Sequence, residues 1–155
     1  MVKMGYEKQI IRSKYGNQPV NADIGGKTYH FRSKLEYRWA QHLQLLYMTG
    51  EIKGWEYETH CFQFEDATLK RYLIDFTVRN NDDSFEYYEC KGMLAKYDLD
   101  RLRLVFEQYP DAKVNLVFAS KPKLSTQKRT KLERYCKRII YDANSFLKKE
   151  PIDFS

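Results

Sequence analysis

Phe85-Glu86-Tyr87-Tyr88-Glu89-Cys90-Lys91-Gly92 is the stretch from which the rest of this chain can be read. Its aromatic and apolar content, ended by a glycine, predicts a strand over Phe85–Lys91. On a strand Glu89 and Lys91 point the same way, roughly 6.6 Å apart along it, while Cys90 turns to the other face and packs inward. Gly92, directly after Lys91, permits close approach by another backbone. Just upstream, Arg71–Val78 reads as a second strand. Tyr72, Ile74, Phe76 and Val78 share one of its faces and Leu73, Asp75 and Thr77 the other. The turn-rich Asn80-Asn81-Asp82-Asp83-Ser84 joins the two strands as a hairpin, so Asp75 can stand beside Glu89.

Working outward, Val20–Ile24 and Lys27–Phe31 flank Gly25-Gly26, a pair suited to the positive φ of a tight hairpin. Ser33 with Glu36 three residues on signals a helix start, and Gly50 ends a helix running to about Met48. Leu35, Trp39, Leu43 and Leu46 recur at helical spacing and should face the core. A strand is expected over Glu56–Phe64, with a polar turn before Arg71. Asp98–Tyr109 reads as an amphipathic helix with Leu99, Leu102 and Phe106 inward, stopped by Pro110. Lys113–Ala119 is a short apolar strand. Thr126–Ile140 reads as a last helix with an apolar stripe of Leu132, Tyr135, Cys136, Ile139 and Ile140. The order is ββ-α-βββ-α-β-α: one α/β domain over residues 19–155 with a mixed sheet, preceded by a polar, loose arm over residues 1–18.

At 155 residues the chain suits one domain with a core of its own. With 13 Tyr and 9 Phe it is too aromatic for disorder. No run approaches the ~18 apolar residues of a membrane span, and Met1–Ile10 has no apolar core of a secretion signal. An odd count of three cysteines, Cys61, Cys90 and Cys136, without metal-like spacing, suits reduced thiols in a cytoplasmic protein. The net charge of +6 is uneven: residues 120–149 hold ten Lys/Arg against two acids, which leaves the remainder with 17 basic and 19 acidic residues. A basic block beside a mildly acidic body suits a polyanionic partner, since phosphate contacts gain from counterion release. A soluble basic helix face would look the same.

Two carboxylates brought together resist ionising unless a cation sits between them. Mg²⁺ takes one or two carboxylates plus water and phosphate oxygens, which Asp75 and Glu89 would offer. Lys91 would then orient a water or stabilise charge on a phosphoryl group. The competing reading is a solvated strand face carrying a Glu–Lys pair worth under ~1 kcal/mol. Glu36 is a third candidate carboxylate, although a capping box alone accounts for it. His30 and His60 read as packing or surface residues, and Glu56 and Glu58 as strand-surface charges. Arg101 and Arg103 either touch phosphates or pair along their helix.

These residues, in this order, resemble the PD-(D/E)XK nuclease superfamily, and more closely the T7 endonuclease I type of Holliday-junction resolvase and related small phage nucleases. Phe31-Arg32-Ser33-Lys34-Leu35-Glu36 resembles that family's first motif, Ile74-Asp75-Phe76 stands where it has Pro-Asp-Phe, and Glu89-Cys90-Lys91-Gly92 matches its Glu-x-Lys-Gly. Glu107-Gln108-Tyr109-Pro110 and Val117-Phe118-Ala119-Ser120 also look familial. The hairpin at Gly25-Gly26 and the stretch from Glu56 to Lys70 depart from the T7-type pattern. The resemblance implies a restriction-endonuclease-like αβββαβ core with an N-terminal hairpin and a C-terminal basic helix. It implies catalytic Glu36, Asp75, Glu89 and Lys91, with Mg²⁺ (or Mn²⁺ in its place) held by Asp75, Glu89, the Cys90 carbonyl and Glu36. It further implies a homodimer acting on branched DNA in a bacterial cytoplasm, cutting phosphodiesters to leave 5′-phosphates. Arg101, Arg103, Lys121, Lys123, Lys128, Arg129 and Lys131 are the expected DNA contacts.

Overall fold

The computed structural model describes residues 18–154, so the expected arm lies, but for Gln18, outside the described residues. The chain opens with an antiparallel hairpin of β1 (Val20–Ile24) and β2 (Lys27–Phe31). Gly25 and Gly26 at its tip have φ of 61° and 82°, a region that residues bearing a Cβ avoid. Helix α1 (Lys34–Met48) starts where the sequence places it, with the Ser33 hydroxyl accepting the Glu36 N–H at 3.1 Å. Then follow β3 (Gly54–Tyr57), β4 (Cys61–Gln63), β5 (Arg71–Leu73), β6 (Phe76–Arg79), β7 (Phe85–Lys91), α2 (Lys96–Gln108), β8 (Val114–Phe118), α3 (Thr126–Tyr135), β9 (Arg138–Ile140) and a short 3-10 turn at Ala143–Ser145.

Five strands form the central mixed sheet in the order β3-β6-β7-β8-β9. The β3–β6 and β6–β7 pairs are antiparallel, while β7–β8 and β8–β9 are parallel and are linked through α2 and α3. One face carries α1 and the hairpin: Phe31, Leu35, Trp39, Ala40 and Leu43 pack with Phe76, Val78, Tyr88, Cys90 and Val117. The other face carries α2, α3 and the β4–β5 pair: Leu102, Val105, Leu132, Phe62 and Tyr72 pack with Ile74, Leu116 and Phe118. The three cysteines are free thiols, and among the described residues no helix is long and apolar enough to cross a membrane.

The structure corrects three expectations. The long strands over Glu56–Phe64 and Arg71–Val78 are each broken in the middle. The β3–β6 register pairs Tyr57 with Phe76 and the β4–β5 register pairs Cys61 with Leu73, so Glu58–His60 lies opposite Ile74-Asp75 with one residue to spare. That extra residue acts as a bulge and bends the whole hairpin. Glu58 absorbs it with φ of 54°, a left-handed conformation that costs a non-glycine residue about 1–2 kcal/mol. The bend also splits the apolar face read from the alternation: Tyr72 and Ile74 enter one core, Phe76 and Val78 the other.

Second, the last helix ends at Tyr135 instead of continuing to Ile140. Arg138–Ile140 instead forms the edge strand β9, docked by the Lys137 N–H on the Val114 carbonyl, and Ile139 and Ile140 pack on opposite faces of the sheet. Two adjacent β-branched residues suit a strand buried on both sides, and an apolar run this short fits either period. Third, Phe106 is exposed on α2, and Leu104 and Val105 take the buried positions beside Leu102. In α3, Leu132 is the buried anchor. Leu132→Ala is therefore expected to cost about 2–5 kcal/mol in denaturant unfolding. Hydrogen exchange should show Thr126–Tyr135 losing protection before the β6–β7–β8 centre does.

Candidate active site

Bending the hairpin at Asp75 brings that residue and the end of β7 together. Asp75 is 2% exposed, and its carboxylate accepts the Cys90 N–H on Oδ2 at 2.9 Å. Its own N–H donates to Glu89 Oε1 at 3.1 Å, and its carbonyl accepts the Glu58 N–H at 2.8 Å. Asp75 and the end of β7 are thus interlocked, the Glu89 side chain on the Asp75 N–H and the Asp75 side chain on the Cys90 N–H. Burial, with the Glu89 and Glu36 charges next, pushes the Asp75 carboxyl well above its usual range.

Glu36 belongs to the same cluster. It does not close a capping box on the Ser33 backbone; its Oε2 accepts the Ser33 hydroxyl at 3.0 Å and its Oε1 the Tyr57 hydroxyl at 2.5 Å. Burial raises its pKa, with Tyr57, Arg32 and Ser33 opposing and the Glu89 charge adding to the rise. One residue of the first motif therefore starts the helix and another carries a buried charge to the sheet.

Lys91 lies 3.3 Å from Glu89 Oε2 and 2.9 Å from Asp98 Oδ1. Burial opposes its charge, but Glu89 and Asp98 outweigh burial and its pKa is raised, so it is a cation at neutral pH. Asp98 is buried near the start of α2, where it also accepts the Ala95 N–H at 2.7 Å. Arg101 reaches the same Asp98 oxygen at 2.7 Å and comes within 4.0 Å of Glu89, while stacking over Tyr72 at 4.3 Å and Tyr97 at 4.9 Å. Arg101 is thus built into the cluster rather than extended into solvent.

Sequence reasoning gave no role to Arg32, Tyr57 or Asp98, and it assigned Glu58 to the surface. Arg32 lies 3.0 Å from Asp75 Oδ1 and 2.8 Å from Glu58 Oε2, with Glu36 at 3.9 Å. Arg32 stood inside the quoted first motif without a role. Glu58 and Asp98 carried no usable signal, because their partners lie far along the chain or across a helix start.

The expected DNA contacts divide. Arg103, two residues from Arg101, pairs with Glu107 at 3.1 Å and lines a cleft of about 920 Å³ between α2 and the loop that includes Glu65–Leu69. It is not brought to the carboxylates. Lys121 and Lys123 are exposed in the loop after β8. Since Lys91 pairs with Phe118 in parallel strands, that loop leaves the sheet at the end where Lys91 sits. Lys128, Arg129 and Lys131 are exposed on α3, where Arg129 stacks over Tyr141 at 4.7 Å.

An all-oxygen set of carboxylates, in which burial resists the ionisation of Asp75 and Glu36, suits a hard divalent cation. In the arrangement shown, no three Asp, Glu, His or Cys side chains among the described residues are gathered tightly enough to hold an ion. The positive charge beside Asp75 comes from Arg32.

The protein-family model described as Phage endonuclease I matches residues 19–150, nearly the whole described chain. No curated protein sequence matches it. Among solved structures, one described as an EndoMS–dsDNA2 complex aligns with 72% of this chain at 19% identity and a TM-score of 0.35. The alignment spans 49% of that chain, about half its length. By the sequence match over residues 19–150, the chain belongs to the phage endonuclease I family.

Proposed function

We propose that the protein is a metal-dependent DNA endonuclease selective for branched duplexes, working as a homodimer with one site on each strand. The observation that carries this reading is the interlock of Asp75 with Glu89 and Cys90, with Lys91 held beside it. Asp75, Glu89, Glu36 and the Cys90 carbonyl would hold Mg²⁺ or Mn²⁺. When bound, the cation would polarise the scissile phosphoryl group and lower the pKa of a water. Lys91, fixed by Glu89 and Asp98, offers N–H donors where charge develops on phosphate oxygens, and stays protonated to do so. Release of a 5′-phosphate and a 3′-hydroxyl follows if water displaces the 3′-oxygen. The exposed lysines after β8 and on α3 supply sequence-independent phosphate contacts, as a substrate recognised by shape requires.

A synthetic four-way junction, offered beside linear duplex, flap and single-stranded DNA, tests this. Symmetric nicking of the junction is expected in Mg²⁺ and none in EDTA. Lys91→Ala should lower the rate by about 10²–10³-fold, the usual loss when one transition-state donor is removed, and Asp75→Ala by at least as much. Preference for another substrate would discard the junction while keeping the hydrolytic site. Tight binding without cutting in either metal would point to a non-catalytic DNA-binding module.

Metal dependence has a second readout that needs no DNA. The folded state holds protons on Asp75 and Glu36 to higher pH than the unfolded chain, whose values lie near 4. Their contribution to metal-free stability is full below that value and lost as pH rises toward the folded pKa. A bound cation reverses that loss. At neutral pH, Mn²⁺ at a hundred times its Kd should add about 2.7 kcal/mol. For a domain of this size that is a rise of roughly 5–10 °C in Tm. The rise should be absent in Asp75→Ala.

A further inference from the structure

Arg32 reaches the site from the end of β2, and its guanidinium spans two acids that the fold holds side by side. One NH₂ group lies 3.0 Å from Asp75 Oδ1 and 2.8 Å from Glu58 Oε2. The Glu58 backbone is fixed to the Asp75 carbonyl at 2.8 Å, in a left-handed conformation at the bulge. Non-glycine residues persist in that conformation where their surroundings hold them there, and such residues cluster at functional sites. Asp75 and Glu58 differ in their surroundings. Asp75 is 3% exposed at its side chain, Glu58 25%, and Arg32 itself 60%, so the guanidinium stands at the rim with one partner inside and one outside.

We propose that Arg32 is a resident counter-cation that competes with a divalent metal ion for Asp75, and that Glu58 is the anchor to which its guanidinium retires when the ion binds. The proposal rests on the metal-dependent reading above. Two cations cannot share one face of Asp75 at contact distance without repelling, so ion entry requires the 3.0 Å pair to open. The 2.8 Å pair with Glu58 need not open, because it lies on the solvent side. A guanidinium released from Asp75 stays tethered beside the carboxylates, within reach of a phosphate that arrives with DNA. Arg32 and Glu58 are thus positioning residues that set ion affinity.

Calorimetric titration of the full chain with Mn²⁺, without DNA, tests this in wild type, Arg32→Gln, Arg32→Lys, Glu58→Gln and Arg32→Gln/Glu58→Gln. Arg32→Gln should tighten Mn²⁺ binding by about fivefold or more, the low end of ordinary coupling between two ligands. Arg32→Lys should tighten it too, because lysine keeps the charge but lacks the rigid guanidinium whose NH₂ group meets both acids. Glu58→Gln should weaken binding where Arg32 is present and change nothing where Arg32 is Gln. Melting in EDTA separates folding defects from affinity: Arg32→Gln should melt lower than wild type without metal and show the larger rise when Mn²⁺ is added. Equal Mn²⁺ affinity in wild type and Arg32→Gln would overturn the competition. A Glu58→Gln effect that persists beside Arg32→Gln would overturn the anchor, since Glu58 would then act on the ion directly. Failure of every variant and the wild type to bind Mn²⁺ or Mg²⁺ would remove the metal-dependent reading, and this proposal with it.

Discussion

One surplus residue decides how this molecule is put together. Because Glu58–His60 faces only Ile74-Asp75, the hairpin cannot run straight, and the bend falls at the aspartate. A straight strand would keep Asp75 in register with its neighbours and its N–H committed to the ladder. At the bend, that N–H is free to meet the Glu89 side chain, and the Asp75 carboxylate reaches the Cys90 N–H. The same bend sends Tyr72 and Ile74 to one core and Phe76 and Val78 to the other, so both layers close around it. The site is therefore not an addition to the sheet. It sits where the two apolar layers change over.

Burying this much charge sets the second constraint. Asp75, Glu89, Glu36 and Asp98 are all buried, and each is met by a cation or by hydroxyl and amide donors. A buried ion pair adds little net stability, yet removing one partner commonly costs about 3–5 kcal/mol by leaving the other uncompensated. Lys91 and Arg101 converge on Asp98 and approach Glu89 from that side, whereas Arg32 neutralises Asp75 and Glu58 from the other. Arg101 is held further by the faces of Tyr72 and Tyr97, an arrangement suited to the planar guanidinium, which can stack on rings while its N–H groups reach Asp98.

Local signals made much of this legible. The β1–β2 hairpin follows from Gly25-Gly26, α1 from Ser33 and Glu36, and β7 from its composition, and all three elements sit where the sequence places them. Asp75, Glu89 and Lys91 could be brought together on paper because the turn at Asn80–Ser84 fixes which strands are neighbours. What could not be read depends on counting residues across a distant pairing. The bulge is invisible in either strand alone, and alternation runs unbroken from Tyr72 to Val78 although the chain turns between them. Ile139-Ile140 has no period long enough to separate helix from strand. Glu58, Asp98 and Arg32 are ordinary charges until the fold supplies their partners.

The placement of Arg32 bears on how such a cluster of acids can be held together. Four buried acids with Lys91 and Arg101 alone would leave the Asp75 side of the cluster negative, and the fold would depend on metal for its assembly. A guanidinium from the neighbouring hairpin removes that dependence, because it comes from a segment that α1 and Phe31 already fix in place. It is also exposed enough to leave, which a lysine or arginine rising from the sheet beneath would not be. Holding the carboxylates together and balancing their charge therefore fall to different groups: the interlock of Asp75 with β7 holds the acids, and the rim arginine balances them. A site divided in this way folds with Asp75 and the end of β7 already locked together, and if it takes the proposed metal ion, the ion has only to exchange one positive charge for another.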